Sequence, residues 1–300
     1  MCKGGNMTIM VSAHADWASA SVEAVEHLME QLTVLGDDPA SQAAQYHLRS
    51  GGSRVRCRLG LHAGQMLGLE PSAQTAIATT CELLHNASLI HDDLQDQDQY
   101  RRGAECVWVR FGSDTALCTG DLFISAAYAA LAPLAGHTDL PSLITATHHA
   151  VAQAVRGQVA DTTQLDASSA NVDAYLDTVS HKSGALLDLP QRLALMASGN
   201  GKSLSLANDA VMAFAKAYQI LDDLDDWQDD QKMGRLNAVS VLQRQLGCTV
   251  DHALVRAGSL AHDFLDAAAT NAGAMPQNSG SMIVAYSQRM KTKIPTELAA

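Results

Sequence analysis

Apolar residues recur along most of this chain at spacings of three and four, the repeat of one face of an α-helix. Ala207, Val211, Phe214, Tyr218 and Leu221 form one such stripe, which predicts a single buried helix face. Alternating β-branched runs are missing and aromatic residues make up only 4%, so strands have almost no support. Breakers divide the pattern at Gly36–Pro39, Ser50–Gly52, Gly68–Pro71, Pro133–Pro141, Ser168–Asn171, Ser198–Ser203 and Gly247. The stretches between them predict helices over 14–35, 40–49, 53–67, 72–96, 113–132, 142–164, 172–198, 203–230, 236–246, 250–271 and 280–291. Nothing has the composition of an interdomain linker, and no solenoid-type repeat is present. The expectation is an all-α fold with one domain over 1–300, of which 1–13 is a loose N-terminal segment.

Two acidic clusters interrupt this pattern, each at the end of an apolar helical stretch. One reads His91-Asp92-Asp93-Leu94-Gln95-Asp96, the other Leu221-Asp222-Asp223-Leu224-Asp225-Asp226. Helix positions i and i+4 share a face, so Asp92 points with Asp96, and Asp222 with Asp226. Like charges at that spacing destabilise a helix unless something neutralises them. An acidic run is ordinarily a solvated helix end. Here Cys81–Ile90 and Val211–Leu221 are too apolar for exposed faces, and carboxylates that extend a buried stripe need a partner. Oxygen-only ligands suit Mg²⁺ bridging carboxylates to a substrate phosphate. An EF-hand is excluded, because the run from Asp92 lacks the alternating aspartates and the central glycine. His91 reads equally well as a hydrogen-bonded spacer or as a ligand.

Composition narrows the classes further. A net charge of −12, from 20 basic and 32 acidic residues, argues against a general nucleic-acid binder. Six cysteines without a C-x-x-C pair read as buried reduced thiols. The longest apolar run, Leu122 to Gly136, is too short to span a bilayer, and the N-terminus lacks a signal-peptide apolar core. A soluble cytoplasmic protein is expected.

With the neighbours of both acidic clusters in place, the chain resembles the trans-polyprenyl diphosphate synthases over about residues 45 to 235. The resemblance rests on an ordered set of motifs: Gly51-Gly52-Ser53-Arg54-Val55-Arg56; His85 with the first cluster; Arg101-Arg102-Gly103; Gly157-Gln158-Val159-Ala160-Asp161; Lys182-Ser183-Gly184-Ala185-Leu186; and Gln219 with the second cluster. It implies long helices around a central cavity, a homodimer, and Mg²⁺-dependent joining of an allylic diphosphate to isopentenyl diphosphate. It implies three Mg²⁺ ions, with Asp92, Asp96, Asp222 and Asp226 as ligands and Asp93 and Asp223 as further ligands or supports. Arg101, Lys182 and Ser183 would meet the allylic diphosphate, with Lys232 assisting, and Gln219 would orient a metal-bound water or an aspartate. Ser53, Arg56, His85 and Arg102 stand at the isopentenyl diphosphate positions. Helices 72–96 and 113–132 are apolar enough to support the dimer.

Departures from the family pattern cluster near the diphosphate elements. Ser53 replaces a lysine, keeping a hydrogen bond but losing a charge, and Arg54 is a candidate to compensate. The usual R-R-G-x-P-T lacks its proline, and the loop after Asp226 is short. By resemblance, Ala87 and Ser88, with Leu84 and Cys81 deeper, form the floor of the chain pocket. Their small size implies a product of twenty carbons or slightly more. Two other readings remain open: a class I terpene cyclase or lyase using the allylic diphosphate alone, which Ser53 favours, and an inactive modulatory subunit, which the intact aspartates oppose.

Overall fold

Polar caps start several of the helices near the breakers. In a computed structural model, which describes residues 15–136, 139–163, 171–233, 235–294 and 298, the helices are α1 (Ala15–Thr33), α2 (Pro39–Arg49), α3 (Val55–Met66), α4 (Pro71–Gln95), α5 (Val107–Phe111), α6 (Ser113–Ala129) and α7 (Leu140–Thr163). They continue with α8 (Val172–Val179), α9 (Ala185–Ala197), α10 (Leu204–Met233), α11 (Ala238–Leu246), α12 (Val250–Gly273) and α13 (Ser281–Lys291). Asp38 caps α2 by accepting from the amides of Ala40 and Ser41, with Pro39 supplying a first turn that needs no amide donor. Asn171, Asn237 and Thr249 cap α8, α11 and α12 in the same way. The fold is all-α, as the periodicity predicts. The expected loose segment 1–13 lies outside the described residues.

Three local features differ from the expected elements. Residues 100–105 form a hairpin of β1 (Tyr100–Arg101) and β2 (Ala104–Glu105), followed at once by the short helix α5. The expected helix over 172–198 is interrupted by a π-helical turn, Ser180–Gly184. Its departure from the helical repeat is a single residue, too small for apolar spacing to register. The expected helix over 113–132 ends at Ala129, and a 3₁₀ turn at Ala132–Leu134 carries Pro133.

The chain folds as two compact units, Met1–Thr147 and His148–Ala300. In the first, α4 is the central helix, packed on α1, α3, α5 and α6. Ala76 to Leu84 are all buried, so α4 has almost no solvent face along that length. Thr80 ties it to α6 by donating to the carbonyl of Ala127 at 3.1 Å. In the second unit α10 is central, packed on α9, α11 and α12. Its core face is filled by small residues, Ala207, Ala210, Ala213 and Ala217, with Val211, Phe214 and Ile220. Tyr218, expected in the buried stripe, is instead 38% exposed; Ala217 and Ile220 carry the stripe past it.

Cys57, Cys81 and Cys106 are buried as expected, but Cys118 is exposed. It shares the outer face of α6 with Leu117, while Ala116, Thr119, Gly120 and Phe123 turn inward. The stretch Ser113–Leu134 is long and apolar enough to cross a membrane by length and composition, contrary to the expectation from the shorter run. Within the unit its inner residues are packed as a core helix, against α4 and α2.

Candidate active site

The first aspartate cluster occupies the C-terminal turn of α4. The helix closes at Asp96, whose amide donates to the carbonyl of Asp92 at 2.8 Å; Gln97 adopts a positive φ and the amide of Asp98 reaches back to the carbonyl of Asp93 at 3.0 Å. That is a Schellman ending with glutamine in the usual glycine position. A helix C-terminus carries partial negative charge, so the carboxylates add to a field that already favours a cation.

Within this cluster the aspartates divide by direction. Asp93 is buried at 2% exposure, and Arg101 grips its Oδ1 through both Nε (2.7 Å) and Nη2 (2.5 Å). Asp92 is half-buried and Asp96 exposed, on the neighbouring face. The thiol of Cys106 also lies against Asp93, and burial, followed by that carboxylate's field, pushes the thiol up to about 12. His91 is half-buried against α6, its Nε2 lying 3.3 Å from the carbonyl of Leu117. It packs on Gly120, where any side chain would collide with the imidazole. That contact makes His91 a helix-packing spacer.

Behind α4's end lies a cationic group. The hairpin puts Arg102 and Gly103 in a two-residue turn, both at positive φ, the geometry of a type I′ turn. Arg102 bends back so that its Nη1 donates to the carbonyl of Gly51, and its guanidinium fills the space over Gly52, where a Cβ would lie 2.7 Å away. Gly52 therefore leaves room for Arg102, while Gly51 serves the turn through its positive φ. Arg54, Arg56 and Arg101 complete the group, and its field is felt nearby. Burial, with Arg56, Arg102 and Arg101, holds His85 well below its ordinary value. His47, which is bonded to Asn86 at 3.0 Å, is pushed down to about 3 by burial, with Arg102, Arg101 and Arg54 adding to it. Burial and its arginine neighbours lower Arg102 itself. Such a concentration of positive charge in a protein of net charge −12 could hold an anion.

Arg54 does not compensate for Ser53 in this arrangement. It is 6% exposed at a positive φ, and its guanidinium points into the unit. Nε donates to Glu26 at 3.0 Å, Nη1 to the buried Glu82 at 3.3 Å, and Nη2 to the carbonyl of Leu48 at 3.4 Å. Glu82 also accepts from the amide of Cys57 at 3.1 Å, so this pair anchors the Gly51–Ser53 loop and the start of α3 onto α4. Ser53 itself is exposed. One turn above His85, Ser88 donates to the carbonyl of His85 at 2.9 Å; Ala87, Leu84 and Cys81 are buried.

The second cluster repeats the division. Asp223 is 5% exposed and accepts from Gln219 at 2.9 Å, Tyr175 at 2.7 Å and the amide of Ala238 at 2.7 Å. Burial pushes it up to about 7 against the pull of those donors. Asp222 and Asp226 turn outward, with Asp225, Asp229 and Asp230 on the following turns. Partial burial and the charges of Asp226, Asp225 and Asp230 push Asp222 up to about 6, and Asp226 is raised for similar reasons. Unlike the first cluster, this one is not at a helix end: α10 continues to Met233. The carboxylates repel one another, and a cation would relieve the strain.

The π-helical turn carries Lys182 and Ser183; Ser183 is half-buried, and the side chains of Lys182 and Asp161 lie outside the described residues. Such turns are frequent at functional sites. Lys232 is exposed and bonded to Asp229 at 2.8 Å. Sequence reasoning missed Tyr175, Asn237 and Arg235. Tyr175 and Asn237 hold the second cluster, and the charge of Arg235 acts on Asp226. No local motif marks any of them.

The donor set fits Mg²⁺. Each cluster presents an outward pair of carboxylates on one helix face, and among the described residues no three His, Cys, Asp or Glu side chains close into a metal cage of their own. Two carboxylates completed by substrate phosphate oxygens are the way this ion is usually held.

Comparisons with known proteins give the family and the fold. The polyprenyl synthetase family matches residues 37–267. A short chain isoprenyl diphosphate synthase of Methanothermobacter thermautotrophicus is 25% identical over 234 residues, 77% of this chain and 72% of that protein. A geranylfarnesyl diphosphate synthase of Aeropyrum pernix is 30% identical over 207 residues, 67% of this chain but only 65% of that protein. Among solved structures, a decaprenyl diphosphate synthase from Rhodobacter capsulatus superposes with a TM-score of 0.82 at 19% identity, covering 94% of this chain and 98% of that one, a likeness of fold. With most of its length matched, the chain belongs to the polyprenyl synthetase family.

Proposed function

We propose that this protein joins an allylic diphosphate to isopentenyl diphosphate with Mg²⁺, giving a trans-prenyl diphosphate of twenty carbons or slightly more. The observation that carries this reading is the cationic group of Arg56, Arg101 and Arg102 around a neutral His85, on the same helix as the outward carboxylates Asp92 and Asp96. A cation-binding face at the end of α4 and a cationic group from α3 and the hairpin near His85 of the same helix suit two diphosphate substrates, one of them metal-bound.

Asp92, Asp96, Asp222 and Asp226 would hold the metal, probed best by the number of ions bound, three by resemblance. Bound Mg²⁺ stabilises charge on a leaving diphosphate. Asp93 and Asp223, satisfied by protein donors, keep the two carboxylate faces oriented. Arg101, set by Asp93, and Lys182 with Ser183 meet the allylic diphosphate, and Lys232 is a peripheral cation. Arg56, Arg102, His85 and Ser53 receive isopentenyl diphosphate. His85, held neutral, can accept or donate one hydrogen bond without adding charge. Ala87 and Ser88, both small, would leave room for a growing chain beside Leu84 and Cys81.

The match to one family through both units supports a single functional domain. Of the two helices expected to support a homodimer, α6 exposes Leu117 at 51%, which supports it, whereas Ala76 to Leu84 of α4 are buried within the unit. A cytoplasmic setting is expected for an enzyme of soluble diphosphates with reduced thiols.

A second reading, cyclisation or elimination of the allylic diphosphate alone, is favoured by one observation: Ser53 lacks the charge, and Arg54 is committed to Glu82 and Glu26. Diphosphate release, measured with each allylic substrate with and without isopentenyl diphosphate, tests both. Release that requires isopentenyl diphosphate supports prenyl transfer; release independent of it refutes prenyl transfer as the main activity.

A further inference from the structure

Asp223 sits between two outward carboxylates yet is one of the best-secured side chains in its unit. Two of its donors come from other elements: the Tyr175 hydroxyl of α8 at 2.7 Å and the Ala238 amide at the start of α11 at 2.7 Å. The neighbouring Asn237, itself fully buried, adds backbone ties. Its Nδ2 donates to the carbonyl of Asp223 and to Asp230 Oδ2, each at 2.9 Å, while its Oδ1 caps α11 through the amide of Val239. Successive helix residues are rotated by a fixed angle, so fixing where Asp223 points also fixes where Asp222 and Asp226 point.

The same contacts reach the lysine-bearing turn. From α8 the chain runs without a break into the π-helical turn Ser180–Gly184. That segment meets α10 at two points: Tyr175 at Asp223, and Gly184 at Met212, where a Cβ would lie 2.6 Å from the sulfur. Lys182 lies between these anchors in sequence. A phenylalanine would fill the site of Tyr175, 4% exposed, without the cost of burying a hydroxyl, so packing alone does not account for a tyrosine there.

Resting on the function proposed above, we propose that Tyr175 and Asn237 are positioning residues: through Asp223 they set the direction of the carboxylates Asp222 and Asp226, and Tyr175 also fixes the lysine-bearing turn against α10. Groups that orient metal ligands commonly change metal affinity ten- to a hundredfold when removed, and a single bond at one remove should act near the lower limit.

The test uses Tyr175→Phe, which removes only the hydroxyl, and Asn237→Ser, which keeps a capping oxygen and loses the amide ties. Calorimetry of inorganic pyrophosphate binding at increasing Mg²⁺ is run beside thermal melting and steady-state kinetics. Each variant is expected to need about tenfold more Mg²⁺ for half-saturation. The turnover number should fall, while the KM for isopentenyl diphosphate stays within about twofold, since its proposed residues lie in the other unit. An unchanged Mg²⁺ requirement in both folded variants overturns the proposal, as does a lowered melting temperature with no metal shift. If one variant does not fold, the other decides. A wild type that binds Mg²⁺ and pyrophosphate but makes no prenyl product refutes the proposed function, while the metal shift still decides the positioning roles. A wild type with no Mg²⁺-dependent pyrophosphate binding overturns both.

Discussion

Replacing Arg54 with methionine separates a structural cation from a substrate-binding one. The guanidinium makes three bonds, to Glu26, Glu82 and the carbonyl of Leu48, and the residue is 6% exposed. Methionine keeps the length of the apolar stem but leaves Glu82, 2% exposed, with the Cys57 amide as its remaining partner among the described residues. Breaking a buried pair from one side costs about 3–5 kcal/mol. The bond to Glu26 adds little, because that carboxylate is 46% exposed and screened by water. For a chain of this size each kcal/mol moves the melting temperature by about 2 °C, so the variant should melt about 6–10 °C lower. Arg54→Met with Glu82→Gln, which removes the stranded charge, should recover part of that loss. The assays are thermal denaturation and the KM for isopentenyl diphosphate below the melting range. An Arg54→Met protein as stable as wild type, with a strongly raised KM for isopentenyl diphosphate, would refute the assignment and make Arg54 the substitute for the missing lysine.

Four further outcomes are expected. Asp92→Ala and Asp222→Ala should each lower turnover by at least about a thousandfold and abolish Mg²⁺-dependent pyrophosphate binding, leaving the melting temperature near wild type; near-normal rates would remove these residues from the metal site. Asp93→Ala should instead destabilise the fold, because it strands Arg101. Ser53→Lys should lower the KM for isopentenyl diphosphate about tenfold by adding a charge-assisted contact, and an unchanged KM would show that another group already supplies it. Because Asp222 titrates at about 6 and metal binding needs its ionised form, Mg²⁺ affinity should climb as pH rises through 6 and level off above 7. Calorimetry at pH 5.5 in buffers of different ionisation enthalpy should detect proton release on binding, and a pH-independent affinity would contradict that titration.

The helices and the outward aspartates were legible because both depend on local arithmetic. A spacing of four puts Asp92 with Asp96 and Asp222 with Asp226, whatever the rest of the chain does. What Asp93 and Asp223 meet is set by tertiary packing. The partners of Asp223 include Tyr175 and Ala238, and no spacing rule joins residues so distant in sequence. Arg54 shows the opposite failure. Beside two glycines and Ser53 it resembles a substrate cation, yet Glu82, 28 positions away, claims it. The hairpin at 100–105 escaped because its strands are two residues each, too short for alternation to show. Its turn is nevertheless marked by Gly103, one of the two positions that need a positive φ.

Product analysis tests the central claim most directly. The protein is incubated with Mg²⁺ and allylic diphosphates of five, ten, fifteen and twenty carbons, with and without isopentenyl diphosphate, and the products are separated by chain length. The account predicts longer trans-prenyl diphosphates, ending at twenty carbons or slightly more, only when isopentenyl diphosphate is present. Hydrocarbons or alcohols formed from the allylic substrate alone, with no elongation, would contradict it.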